Sequence, residues 1–218
     1  LLEREPNNPP KNAVRVIRRS AEHLSNLVEG LLDISKIESG RLRLNRDRVR
    51  FGEFLEQIVD MFRLQAAAKG IGFHYHRPAQ LPAWIRTDEK RLRQILINLL
   101  SNAIKFTDRG EASLTVRYAS SQLAEFEVAD TGMGIREEDL EDVFKPFERG
   151  GMPGAKMQPG SGLGLAITRV IVQIMGGEIV LRSTPGQGSR FVVKLMLGAA
   201  QDDHDAAEAR RRIRGYRG

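Results

Sequence analysis

The chain has 218 residues, 41% of them hydrophobic, enough for one core with appendages, and it has no cysteine, which excludes a disulfide framework and a thiolate zinc site. Its four histidines lack a ligand spacing such as HExxH, no apolar run approaches the ~20 residues of a membrane helix, and the charged-then-apolar layout of a signal peptide is missing, so a cytoplasmic setting is expected with any membrane anchor outside this chain. The net charge of +6 and the run RRRIR at 210–214 invite a nucleic-acid reading, but arginines are spread along the chain and aromatics make up only 6%, so a solvated basic surface and no nucleic-acid partner are expected.

Asn8 and the prolines after it read as a helix start. From there Ile17, Ala21, Leu24, Val28 and Leu31 follow the alternating three-four spacing of a coiled-coil seam, widened by Leu27, Leu32, Ile34 and Ile37. One helix cannot bury that many apolar side chains alone. Partner helices are expected, with residues 1–5 the end of a preceding helix, 6–10 a hairpin loop and Gly40 the stop. The exposed seam predicts dimers or higher association.

Residues 42–51 alternate as a strand, and Phe54, Leu55, Ile58, Val59, Met61 and Phe62 mark an amphipathic helix that ends near Gly70. A strand over 71–75, a turn over 78–82 and a short strand over 84–87 follow. The next helix is capped by Thr87 or Asp88, carries Leu92, Ile95, Leu96, Leu99, Leu100 and Ala103 at helical period, and closes at 108–110. Strands are predicted over 112–119 and 123–129. Residues 130–160 form a long irregular loop in which only 137–144 looks helical, and such loops usually carry function. A helix over 161–175 ends at Gly176-Gly177, and strands over 178–183 and 189–197 make a hairpin across 185–188. This order predicts an α+β domain, a two-layer sandwich of a mixed sheet with helices on one face, after a long helix. The chain thus divides into a helical segment at 1–40, a domain at 41–198 and a charged tail at 199–218.

Asn98, Asn102 and Lys105 lie about one turn apart on one helix face. An amide oxygen suits magnesium, a hard cation that keeps several waters and takes phosphate oxygens, and the lysine can neutralise phosphate. Taken alone, the same face reads equally as a solvated one opposite the leucines. Asp130 ends a strand before Thr131-Gly132-Met133-Gly134, where glycines allow close approach of a flat ligand and a carboxylate can accept an exocyclic amine such as that of adenine. Gly160, Gly162, Leu163 and Gly164 lead into a helix whose free N–H groups can bind phosphate. A dinucleotide fingerprint follows its strand at once, whereas a long loop precedes these glycines, which argues against nicotinamide binding.

The set NLLSNAIKFT (98–107), DTGMGI (130–135), VFKPFERG (143–150), GSGLGLAI (160–167) and GQGSRF (186–191) resembles the N, first glycine, F and second glycine boxes of sensor histidine kinases, whose ATPase superfamily includes gyrase, mismatch-repair and heat-shock ATPases. The resemblance spans about residues 40–198, and LVEGLLDISKIESGRL (27–42) is similar to the second helix of the kinase dimerisation hairpin. It implies the Bergerat ATP-binding fold, ATP and Mg2+ as ligands, a homodimer formed through the helical hairpin, and a response regulator or receiver domain as partner. Position by position, it implies magnesium at Asn102, phosphate at Lys105 and the adenine amine at Asp130. Gly132, Gly134 and Ile135 border the base, with a water supported by Gly134. Phe144 and Phe147 anchor the lid, Gly160, Gly162, Leu163 and Gly164 line the triphosphate, and Ser189 backs the adenine site. Hydrolytic relatives have a glutamate where Asn98 stands. An amide cannot act as a general base at neutral pH, so Asn98 and Lys105 are expected to serve transfer to a protein nucleophile by positioning and electrostatics.

The family's acceptor histidine is followed by an acidic residue in the first hairpin helix, and the helical segment at 1–40 has no such motif: His23, in the second helix, precedes Leu24 and Ser25, while His74 and His76 sit in a strand. Binding of ATP without self-phosphorylation in the usual way is therefore expected of this chain. Residues 213–218 are similar to the segment before a receiver domain in some hybrid kinases. Two other readings share the nucleotide boxes: a serine kinase of the anti-sigma type, and a nucleotide-gated interaction module or pseudokinase.

Overall fold

The computed structural model describes residues 44–148 and 162–200, together with the single positions 21, 28, 32 and 35. Those four positions have helical backbone and are exposed, Val28 to 54% and Leu32 to 53%. The remainder of the predicted N-terminal hairpin, the end of the 130–160 loop from residue 149 and the tail after residue 200 lie outside the described residues.

Two sheets frame the domain. The larger has the order β2-β4-β5-β7-β6, built from β2 (Gly72–His76), β4 (Glu111–Tyr118), β5 (Leu123–Asp130), β7 (Gly188–Met196) and β6 (Glu178–Thr184). β2 and β4 pair in parallel and the other pairs are antiparallel, so the sheet is mixed as expected. The smaller sheet, β1-β3-β8, joins β1 (Asp47–Arg50), β3 (Trp84–Thr87) and β8 (Gly198–Ala200). β8 falls beyond the predicted last strand. Gly-Ala-Ala has little intrinsic strand preference, and pairing with β3 is what extends it.

Alternation explains the layers. Ala112, Leu114 and Val116, then Ala124, Phe126 and Val128, and Phe191, Val193 and Leu195 point to the core. The opposite face carries charge, with Arg117 bridging to Glu125 and Glu127, Arg190 to Glu127, and Lys194 to Glu178. Three helices cover the apolar face: α1 (Phe51–Lys69), α2 (Glu89–Phe106) and α3 (Gly164–Ile174).

The first predicted strand is shorter than its alternation suggests, because Phe51 already begins α1. Its N–H reaches the Ala83 carbonyl at 3.1 Å and its fully buried ring meets Tyr118 and Phe126 edge-on. Trp84 opposite receives Arg48 and Arg50 against its ring, at 4.8 and 4.9 Å. Asp88 rather than Thr87 caps α2: Oδ1 accepts the Arg91 N–H and Oδ2 the Asn45 N–H, each at 3.0 Å. At the other end of α1, Gly70 takes φ +79 and closes the helix onto the Ala66 and Ala67 carbonyls.

Residues 137–144 are not one α-helix. Two 3-10 turns, Glu137–Asp139 and Asp142–Phe144, stand there instead. Arg136 Nε reaches the buried Asp139 at 2.8 Å and closes the first turn after three residues, while Pro146 shortly after the second discourages continuation. α3 likewise starts at Gly164, not 161. Gly162, at φ +72, is already outside helical geometry.

Candidate functional site

α2 is the spine of the site. Its buried stripe, Leu92, Ile95, Leu96, Leu99, Leu100 and Ala103, fixes its roll on the sheet and leaves Asn98, Asn102 and Lys105 partly exposed on another face. The Asn98 amide is engaged: Nδ2 donates to Thr168 Oγ1 on α3 at 2.8 Å. No described residue hydrogen-bonds the Asn102 side chain, whose amide is half-buried. Lys105 Nζ lies 4.4 Å from the Phe106 ring centroid. The end of the helix is held from α1 by Lys69, whose Nζ donates to the Ile104 and Lys105 carbonyls, both at 2.7 Å. That lysine places a cation at the negative end of the helix.

At the end of α2 the chain meets the first glycine box. Asp130 closes β5, and its carboxylate accepts the Gly132 N–H at 2.8 Å and the Ser189 backbone N–H. Burial pushes the Asp130 pKa up, and the two N–H groups oppose that only in part. Gly132 is required by contact: a Cβ there would stand 2.3 Å from the Phe106 carbonyl oxygen. Gly134 combines φ +69 with a virtual Cβ 2.1 Å from the Thr184 oxygen, so the loop lies flat on the β6–β7 turn.

That turn is tied back by a hydroxyl the sequence did not single out. Ser183 Oγ accepts the Ile135 N–H at 2.8 Å, donates to the Gly188 carbonyl at 2.8 Å and sits 2.9 Å from Ser189 Oγ. Ser189 was expected behind the adenine site and is buried beside Asp130; Ser183 has no local signal beyond strand alternation.

Phe144 and Phe147 differ in their surroundings. The Phe144 ring packs edge-on to Phe191 at 6.4 Å and lies 5.0 Å from the Arg169 guanidinium, which also bridges to Glu141 at 3.0 Å. Phe147 is 60% exposed and joins through its backbone, its N–H donating to the Gly162 carbonyl at 3.0 Å. A Cβ on Gly162 would come within 2.9 Å of the Phe147 backbone, which ties the F box to the second glycine box. Gly160 lies outside the described residues. Leu163 is buried in the core and precedes α3, which has no side-chain cap. The first N–H groups of a helix are of the kind that can receive an anion.

The residues present suit a magnesium nucleotide. A carboxylate in a glycine-lined slot stands at one end of α2, and the N-terminal turn of α3 lies against its middle. Between them Asn102 offers an amide oxygen. Among the described residues no group of three or more His, Asp or Glu is placed to hold a metal ion.

Comparison with known proteins agrees with this geometry. Residues 87–199 match the family described as histidine kinase-, DNA gyrase B-, and HSP90-like ATPase. The aerobic respiration control sensor protein ArcB of Escherichia coli K12 is 35% identical over 208 residues, covering 95% of this chain and 27% of that protein. The autoinducer 2 sensor kinase/phosphatase LuxQ of Vibrio vulnificus is 34% identical over 89% of this chain and 24% of its own length. The chain thus spans about a quarter of these relatives. Among solved structures, full-length ShkA in complex with AMPPNP superposes with a TM-score of 0.75 at 30% identity, over 91% of this chain and 41% of that one.

Proposed function

The chain belongs to the histidine kinase-, DNA gyrase B- and HSP90-like ATPase family, and on that footing we infer that it serves a sensor histidine kinase as the part that holds Mg-ATP and presents the γ-phosphoryl group to a protein histidine. The observation that carries this reading is the half-buried Asp130 carboxylate, set in a slot of Gly132, Gly134 and Gly188 at the end of the same helix that bears Asn102 and Lys105.

In this reading Asp130 accepts the adenine amine, Gly132, Gly134 and Ile135 border the base with a water beside Gly134, and Ser189 backs it. Lys105 neutralises phosphate charge. The N-terminal turn of α3, with Gly160, Gly162, Leu163 and Gly164, receives the triphosphate, and Phe144 and Phe147 anchor the lid. Asn102 would offer its amide oxygen to a magnesium ion, which would supply further charge neutralisation at the phosphates. An imidazole nitrogen of the acceptor attacks the γ-phosphorus in line, the bond to the β–γ bridging oxygen breaks, ADP leaves with that electron pair, and the imidazole proton passes to solvent. The site needs no general base for this, consistent with an amide at position 98. The relatives' names as sensor proteins support a signalling role, and in this reading a response regulator is the downstream partner and a homodimer the working form. Exposed Val28 and Leu32 on helical backbone are in keeping with the dimer. A cytoplasmic place for this part follows from its need for ATP.

The test is calorimetric titration with a non-hydrolysable ATP analogue and magnesium, beside Asp130→Ala. Saturable binding that the variant loses is expected; equal affinity in both proteins, or none in the wild type, refutes the reading.

A further inference from the structure

Thr168 is 1% exposed, and its hydroxyl receives Asn98 Nδ2 at 2.8 Å. Gly164, one turn earlier on the same helix, presses on the other end of that amide: a Cβ there would stand 2.2 Å from Asn98 Oδ1. Both polar ends of the Asn98 side chain therefore face α3, since residues four apart share a helix face. Each end has a physical reason. The hydroxyl accepts the N–H, and the amide oxygen lies at the N-terminal turn, where a helix carries partial positive charge.

We propose that Thr168 is a positioning residue for phosphoryl transfer: by holding the Asn98 amide it sets the span between the helix that carries Asn102 and Lys105 and the helix turn that receives the triphosphate. The proposal rests on the Mg-ATP reading above. Were α3 to slide on α2, the phosphates would move relative to both Asn102 and Lys105, and a misplacement of about 1 Å can cost ~100-fold in rate. The next residue, Arg169, meets Glu141 and the Phe144 ring. One turn of α3 is thus latched to the magnesium helix and to the entry of the lid together. The latch also gives the amide at position 98 a reason. It is neutral, donates to Thr168 and sets its oxygen beside the first turn of α3, whereas a carboxylate offers only acceptors and brings negative charge beside the triphosphate.

The experiment measures analogue binding, with and without magnesium, for the wild type, Thr168→Val, which loses the acceptor, and Thr168→Ser, which keeps it. Thr168→Val is expected to weaken magnesium-dependent binding about tenfold, Thr168→Ser to stay within about twofold, and Thr168→Val to add nothing in an Asn98→Ala background, as coupled residues behave. If the valine does not fold, Thr168→Ala carries the same comparison. Wild-type affinity in Thr168→Val, or an undiminished loss on top of Asn98→Ala, overturns the positioning role while leaving the ATP reading intact. No binding by the wild type overturns both.

Discussion

Gly188 and Asp130 touch backbone to backbone: a Cβ on Gly188 would stand 1.8 Å from the Asp130 carbonyl oxygen, and Gly188 takes φ +99. The start of β7 is thereby pressed onto the end of β5, next to the Ser189 N–H that the Asp130 carboxylate accepts. Gly188→Ala must move backbone at the proposed adenine site and is expected to cost more than about 3 kcal/mol of stability. Two residues earlier, Gly186 has φ +75 but nothing within 4 Å of its virtual Cβ. Gly186→Ala is expected to cost only about 1 kcal/mol. Urea unfolding of the two variants separates them; similar losses would show that strain, not contact, selects glycine at 188.

Burial raises the Asp130 pKa, so the native state without nucleotide binds this proton more tightly than the unfolded chain does. The stability it contributes is fully present below the unfolded carboxylate value and is lost as pH rises through the folded one. Asp130→Asn removes that loss, so the variant is expected to match wild-type stability at acid pH and exceed it at neutral pH. Nucleotide has the opposite preference, because the adenine amine needs the ionised acceptor. Analogue affinity of the wild type should therefore fall as pH drops through the raised value, with proton release on binding in that window. Titrations in buffers of different ionisation enthalpy read the release directly, and affinity independent of pH there would count against Asp130 as the acceptor.

The legible features were those with a local signature. Strand alternation found the five strands of the larger sheet, and the helical spacing of Leu92 through Ala103 set α2 on the sheet with Asn98, Asn102 and Lys105 on one face. Glycines at 132 and 134 were singled out from their spacing, and the structure supplies the contacts that require them. What escaped were hydroxyls whose partners are remote in sequence. Thr168 meets Asn98 across 70 residues and Ser183 meets Ile135 across 48, and each looks from its own segment like an ordinary helix or strand position. The parallel pairing of β2 with β4, and β8 altogether, also depend on tertiary neighbours rather than on local propensity.

Lys69 gives a further test. Its Nζ sits on two carbonyls at the end of α2 and 3.6 Å from an Asp108 carboxylate oxygen. Carbonyls in the last turn of a helix lack intrahelical partners, so losing this donor leaves them to solvent and removes a cation from the negative end of the dipole. Lys69→Met, which keeps most of the apolar stem, is expected to cost about 1–2 kcal/mol. Equilibrium denaturation checks it, and an unchanged midpoint would mean that water replaces the lysine without loss.

Asn102 allows ligand binding to be separated from folding. No described residue hydrogen-bonds its side chain, and alanine is the better helix former by a few tenths of a kcal/mol. Asn102→Ala should consequently leave the melting temperature unchanged or slightly raised, unlike Asn98→Ala, which strands the buried Thr168 hydroxyl. If the amide oxygen is the protein's ligand to magnesium, analogue binding in the presence of the ion should weaken tenfold or more, on the order seen for lost metal-site groups. Binding measured in excess chelator should be the same for wild type and variant. The difference between the two titrations is the decisive quantity. A variant that retains the full magnesium enhancement would remove Asn102 from the metal site and leave its exposure on α2 as that of a solvated polar side chain.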